Sequence, residues 1–282
     1  MDWGLKNRLS RIIRPDGRTV MLAVDHGYFL GPTTGLEDAA KTIMPIISYA
    51  DALMPTRGIV RVSVDPSVDT PIVLRVSGGN SILDEDLSHE GITVAMEDAV
   101  RLNVSAVALS IYVGSSNQKE TLLNLAKLVD EGYRYGIPVL AVTAVGKNMG
   151  RDTRYLALAC RIAAEIGAHF VKTYYCEEFE KVVKTCPVPL VMAGGKKLPE
   201  LEALELTYNA IKRGAAGVDM GRNIFQAEDP VAMIRAVRAV VHENATPQNA
   251  FELYNSLKSS QKNKRKSKMK SVAASRGELN RH

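Results

Sequence analysis

The sequence predicts a (β/α)8 barrel, and three observations carry that prediction. Eight short apolar runs rich in Val, Ile, Leu and Ala recur between residues 19 and 221. Helical patterns lie between most of them. Polar residues and glycines collect at the C-terminal ends of the runs, which is where a barrel places its functional groups. Short apolar strands without strict alternation belong to parallel sheets buried on both faces. Strand count does not by itself show closure, so a doubly wound open sheet is the alternative architecture.

Taken in order, the runs are TVMLAVD (19–25), ADALMP (50–55), PIVLRVS (71–77) and VSAVALSIYV (104–113). They continue with PVLAVTAV (138–145), AHFVKTYY (168–175), VPLVMAGG (188–195) and AGVDMG (216–221). The helical patterns fall at 35–49, 118–135, 151–166, 199–213 and 229–242. In 151–166 the apolar positions Leu156, Ala159, Cys160, Ala163 and Ile166 recur at three- and four-residue spacing. Asp152 is placed to cap that helix and Gly167 to end it. Pro199 opens the next helix with two acids in its first turn, which suits the helix dipole. The connection over 58–70 is poorly helical and is the weakest unit of the eight.

The chain has 282 residues, a length that α/β barrels reach as one domain. The expected division is a barrel over 1–257 and a basic, disordered tail over 258–282. That tail holds nine Lys/Arg and one acid, a net of +8. The whole chain carries +5, so residues 1–257 carry −3, and the barrel has no excess positive charge for nucleic acid. No apolar run reaches the ~18 residues of a membrane span. The start, MDWGLKNRLSRIIRPDG, lacks a signal-peptide core. Three unpaired cysteines, Cys160, Cys176 and Cys186, with no CxxC, fit reduced thiols in a cytoplasmic enzyme.

At the strand ends the residues with chemistry are few. Strand 1 ends in Asp25 and His26, candidates for acid and base; an ordinary strand-ending turn is the other reading. Strand 4 ends in Tyr112, strand 5 near Thr143 and Lys147, and strand 8 in Asp219, Gly221, Arg222 and Asn223. Lys172 stands in the middle of strand 6. Alternation puts it on one face with Phe170 and Tyr174, leaving Val171, Thr173 and His169 on the other. An inward lysine reaches the barrel mouth, where desolvation and neighbouring cations lower a lysine's pKa and free the amine to attack carbonyls. The structural alternative is an ion pair with Asp25 or Asp219. Gly194 and Gly195 after strand 7, with Gly221 and Arg222 after strand 8, fall where this fold repeatedly binds phosphate. The histidines show no HxxxH or HxH spacing, so no metal site is expected, and no GxGxxG opens a helix.

VMLAVDHGYFLGPTTGLE, FVKTYY, PLVMAGGKKLPE and AAGVDMGRNIFQAEDPVAMIRAVRAVVHE resemble the DeoC/DhnA class I aldolase family over essentially residues 2–257. The resemblance implies a (β/α)8 barrel, homo-oligomers (typically decamers) and a Schiff base on Lys172. It also implies an assisting acid at Asp25 and a phosphate cradle at Gly194, Gly195, Gly221 and Arg222. Fructose-bisphosphate aldolases of the family carry an acid/base tyrosine on strand 5, which AVTAVGKN lacks. His26, Tyr112 or Tyr174 are left to take that part. The branch most similar to this chain implies thiolysis of 3-hydroxy-5-phosphooxypentane-2,4-dione by coenzyme A, in the breakdown of phosphorylated autoinducer-2. No bound cofactor is expected, coenzyme A being a co-substrate and the phosphorylated diketone the other. A phosphosugar aldolase using the same Schiff base is the alternative. A cysteine nucleophile is not required by this chemistry.

Overall fold

The computed structural model describes residues 1–144 and 150–260. Lys147 and the tail from residue 261 onward lie outside the described residues. Each of the eight apolar runs forms a strand. These are β1 (Thr19–Ala23), β2 (Ala52–Met54), β3 (Val73–Arg75), β4 (Ala106–Ile111), β5 (Val139–Thr143), β6 (Phe170–Tyr174), β7 (Leu190–Ala193) and β8 (Gly217–Met220). All neighbours are parallel, in the order β2-β1-β8-β7-β6-β5-β4-β3. The two ends of that order meet. Leu53 N–H donates to the Pro71 carbonyl and Arg75 N–H to the Pro55 carbonyl, both at 2.9 Å. The sheet is therefore a barrel and not an open sheet. Close by in the ring, β8 lies against β1 so tightly that a Cβ on Gly217 would run into the Thr19 carbonyl.

Helices fill the connections much as the periodicity predicts: Gln118–Tyr135, Thr153–Glu165, Glu200–Lys212 and Pro230–Glu243. Asp152 accepts the Tyr155 N–H as the N-cap, and Gly167 follows the helix with a φ of 108°. The expected helix over 35–49 is two short pieces, Ala39–Ile43 and Ile47–Tyr49. The weak connection after β2 holds only Arg57–Ser63. Of the tail expected to be disordered over 258–282, the first three residues continue a helix that begins at residue 247, and the rest lies outside the described residues. Tyr254 is buried there and Lys258 pairs with Glu228 at 2.6 Å, so apolar anchoring and charge pairing hold a stretch whose composition is mostly polar.

The barrel interior has two levels. The lower level is apolar, built from Met21, Met54, Val73, Ala108, Leu140 and Phe170 with their neighbours. It is plugged from below by the N-terminal helix Trp3–Ile12, through Leu9, Ile12 and the following Ile13. The upper level is polar and opens into a cavity. Outward-facing strand residues such as Val20, Leu74, Val107 and Val171 pack under the helices. His169 follows that outward set, its ring 5.3 Å from that of Tyr133 on Gln118–Tyr135. No helix of the described residues is long and apolar enough to cross a membrane.

Away from the cavity, His242 joins two segments. Its Nε2 lies 2.8 Å from Asp51 and its Nδ1 2.7 Å from Asp16, and Arg238 reaches Asp51 at 2.9 Å. The Asp51 contact, against the opposing effect of burial, raises the proton affinity of His242 above its ordinary value. A raised folded-state pKa gives stability that is complete below the unfolded histidine value, about 6.5, and is lost as pH climbs through the folded value. We therefore expect the stability gap between wild type and His242→Gln to shrink as pH rises from 6 to 9 in urea titrations. A gap that is constant or grows with pH contradicts this assignment.

Candidate active site

Parity sends Asp25, Arg75, Ser110, Tyr112, Lys172, Tyr174 and Asp219 into one cavity at the C-terminal mouth of the barrel. The expected face of β6 is therefore the face observed. Lys172 is 9% exposed, and its Nζ lies 2.8 Å from Asp219 Oδ2. This is an ion pair without hydrogen-bond alignment, because neither Asp219 oxygen has an aligned donor. The Met54 sulfur, 3.8 Å from Nζ, marks the top of the apolar floor. The carboxylate pairing that the sequence left as an alternative is thus present, and the amine still lines the cavity.

Asp25 makes a different pairing. Its Oδ2 accepts from Arg75 Nε at 2.9 Å, and both side chains are buried. Burial pushes the Asp25 carboxyl up, but Arg75, with Lys172 and His26 behind it, holds it below the usual carboxylate range. For Asp219 burial wins: its carboxyl sits above its ordinary value despite the pull of Lys172. Burial drives the His26 imidazole down to about 4 against the attraction of Asp25, with Lys172, Arg222 and Arg75 adding to the depression. His26 is therefore uncharged at neutral pH. It can exchange hydrogen bonds there, but it holds no proton to give as an imidazolium.

A second polar layer surrounds Arg75. Its Nη1 donates to Ser110 Oγ at 2.8 Å and lies 3.4 Å from Ser77 Oγ. Ser77 donates to Glu90 Oε2 at 2.7 Å. Glu90 Oε1 receives the Tyr28 hydroxyl at 2.6 Å and the Tyr112 hydroxyl at 3.1 Å. Ser77–Gly78 and Gly91–Ile92 form a small antiparallel ribbon above β3, and this ribbon brings Glu90 behind the Tyr28 and Tyr112 rings of the cavity wall.

The glycine loops converge on the opposite rim. Gly194, Gly195, Gly221 and Arg222 line the same cavity as Lys172. Gly195 has a φ of 70°, a conformation that favours glycine. A Cβ on Gly221 would collide with the Ala23 carbonyl and the His26 ring. Asn223 fastens the two loops. Its amide donates to the carbonyls of Gly194 (2.7 Å) and Lys196 (3.1 Å), and its oxygen accepts the Leu198 N–H at 2.7 Å. Arg222 Nε is buried without a partner, and Arg151 stacks 3.7 Å from the Tyr174 ring centroid. Such a rim suits an anion such as phosphate.

Each predicted residue of the described chain reaches this cavity. Reading the sequence missed Arg75 and Glu90. Arg75 was visible on the same grounds as Lys172, a charge in the middle of a buried run, PIVLRVS. Glu90 lies in a turn-rich segment with no periodicity and left no signal. Among the described residues no group of three or more His, Cys, Asp or Glu could hold a metal ion. Cys160 and Cys186 are buried outside the cavity, and Cys176 Sγ contacts Thr153 at 3.5 Å.

A primary amine set among charges, opposite a rim for an anion, is the equipment of an enzyme that condenses lysine with the carbonyl of a phosphorylated substrate. The chain belongs to the DeoC/LacD aldolase family, whose model matches residues 19–227. It is 59% identical over 261 residues to a 3-hydroxy-5-phosphonooxypentane-2,4-dione thiolase of Salmonella typhimurium, covering 92% of this chain and 89% of that one. A protein of the same description from Photorhabdus laumondii is 60% identical over 260 residues, with the same coverage. Among solved structures, the barrel is similar to an archaeal fructose-1,6-bisphosphate aldolase with its catalytic lysine covalently bound to the carbinolamine intermediate. The TM-score is 0.76 and the identity 28%, over 84% of this chain and 99% of that one.

Asn223→Ala takes the side-chain partner from the buried Gly194 carbonyl and from two part-buried groups, the Lys196 carbonyl and the Leu198 N–H. We expect a cost of about 1–3 kcal/mol, read as a lower urea midpoint at unchanged slope. An unchanged midpoint means the loops do not depend on this side chain.

Proposed function

We propose that this chain cleaves 3-hydroxy-5-phosphonooxypentane-2,4-dione with coenzyme A to acetyl-CoA and dihydroxyacetone phosphate, through a Schiff base on Lys172. The observation that carries this reading is the buried Lys172 amine in a cavity rimmed by Gly194, Gly195, Gly221 and Arg222. Relatives described as this thiolase match 92% of the chain, which supports the substrate.

The substrate has carbonyls at C2 and C4, a hydroxyl on C3 and phosphate on C5. Arg222 and the glycine N–H groups hold the phosphate. The Lys172 amine adds to C4, water leaves, and an iminium forms. The coenzyme A thiol, giving up its proton, attacks C2, the C2–C3 bond breaks, and its electrons flow into the iminium to give an enamine. A proton arrives at C3, and water hydrolyses the iminium to release dihydroxyacetone phosphate. The Asp25 carboxylate, kept ionised by Arg75, stabilises positive charge on the nitrogen. The reaction balances with coenzyme A as co-substrate and the iminium as its electron sink. We place the enzyme in the cytoplasm as a homo-oligomer, a decamer by family resemblance.

A class I phosphosugar aldolase is the second reading, favoured by the likeness to solved fructose-bisphosphate aldolases. Incubating the phosphorylated diketone with and without coenzyme A separates the two: thiolysis gives acetyl-CoA, whereas an aldolase cleaves its substrate with no thiol. Borohydride added with the diketone is expected to fix an adduct on Lys172, located by peptide mass mapping. An adduct on another lysine, or none, defeats the mechanism. Lys172→Arg keeps the charge but is expected to abolish capture, because guanidinium stays protonated.

A further inference from the structure

Thiolysis moves one proton through the site in every turnover. The thiol gives up its S–H proton when sulfur bonds to C2, and C3 gains a proton after C2–C3 breaks. Some group has to hold that proton between the two events. His26 is neutral and Asp25 is committed to Arg75. Asp219 faces the Lys172 nitrogen that becomes the iminium.

Glu90 stands apart from that machinery and is 2% exposed. Four donors surround its two oxygens. Ser77 reaches Oε2 at 2.7 Å, while Tyr28 (2.6 Å), Tyr112 (3.1 Å) and the Asn80 amide (3.3 Å) reach Oε1. Tyr28 and Tyr112 both line the cavity, and Glu90 does not. The two phenols are thus the connection between a sealed carboxylate and the reaction space. A phenol has one proton. Each of these points its proton at Glu90, so what each offers the cavity is an oxygen lone pair, the correct polarity to receive a proton from a thiol. Burial raises both phenols above their ordinary values, with Glu90 adding to the rise and Arg75 opposing it. Neither phenol therefore gives up its proton alone, and a proton crosses only by relay.

Resting on the thiolase reading, we propose that Glu90 is the proton store of this site, a positioning residue that acts through the phenols of Tyr28 and Tyr112. In the outward step the S–H bond breaks and its proton joins a phenol oxygen. The phenol's own proton passes to Glu90 Oε1, and the sulfur pair bonds to C2. The return step runs the same path backwards. Glu90 gives its proton to the phenol, the phenol gives one to C3, and the enamine electrons form the new C–H bond. Both phenols end neutral, and the thiol proton has become the C3 proton.

Glu90→Gln preserves shape and removes the proton store. The expected result is full borohydride capture of the diketone on Lys172, an unchanged KM for the diketone, and kcat for thiolysis lowered about 10²-fold or more, the usual size of a lost acid–base contribution. Formate added to Glu90→Ala is expected to restore part of kcat, which a purely structural carboxylate does not allow. Should Glu90→Gln fail to fold, the double variant Tyr28→Phe/Tyr112→Phe, which keeps Glu90, is expected to show the same pattern of retained capture and lost turnover. The proposal is overturned if Glu90→Gln or the double variant turns over at the wild-type rate. It is also overturned if kcat falls and formate gives Glu90→Ala no rescue. Absence of capture in the wild type would instead defeat the Schiff-base reading, so the two failures are separable.

Discussion

Lys172 brings an ammonium group inside a closed barrel, and the upper half of the interior is arranged around that charge. An isolated buried ion costs several kcal/mol, and a partner offsets that cost only at close range. Asp219 supplies the partner at 2.8 Å. A second acid and a second base, Asp25 and Arg75, repeat the arrangement at 2.9 Å across β2, from the end of β1 to the end of β3. The four charges come from β3, β6, β8 and the residues just after β1, so each pair bridges two strands separated by a third and forms only once those strands are aligned. Removing any one of them leaves a buried charge of the opposite sign. The set is held in common, and single substitutions within it will not report the worth of one contact.

Height inside the barrel separates stability from chemistry. Below the Met54 sulfur the inward residues are apolar apart from Thr19, and the N-terminal helix seals that end. Above it every strand end adds a donor, an acceptor or a glycine. The apolar floor bars water from one side of the lysine, and the open mouth admits substrate from the other. The Asn223 staple fixes the anion rim relative to β7 and β8. Distance between amine and rim is therefore set by strands and not by loops, and this is the condition for holding a carbonyl over the amine while gripping its phosphate.

Much of this was legible in the residues because both periodicities involved are short. Period two assigned Lys172, Phe170 and Tyr174 to one face, and the cavity contains the polar members of that set while the floor contains Phe170. The same alternation applied to PIVLRVS exposes Arg75, so its omission was one of reading and not of signal. Glu90 is another matter. It reaches the site because a two-residue ribbon folds the segment after β3 back over the mouth. No local pattern encodes that return. The N-terminal helix has legible spacing at Leu5, Leu9 and Ile12, but which end of the barrel it plugs is a tertiary fact. Polar composition and a leading proline concealed the helical character of 247–260, where one buried ring, Tyr254, outweighs several polar neighbours.

The seam between β2 and β3 gives Arg75 a second meaning. This is where the ring of strands closes, through short bridges at Leu53 and Arg75. Asp25 follows β1, on one side of the seam, and Arg75 belongs to β3, on the other. Parting the strands there separates the carboxylate from the guanidinium and leaves each buried ion without its partner. The thinnest stretch of the barrel wall is thus fastened by an electrostatic clasp. The residue that tunes the catalytic mouth is also the latch of the cylinder, so a substitution at position 75 acts on architecture and reactivity at once.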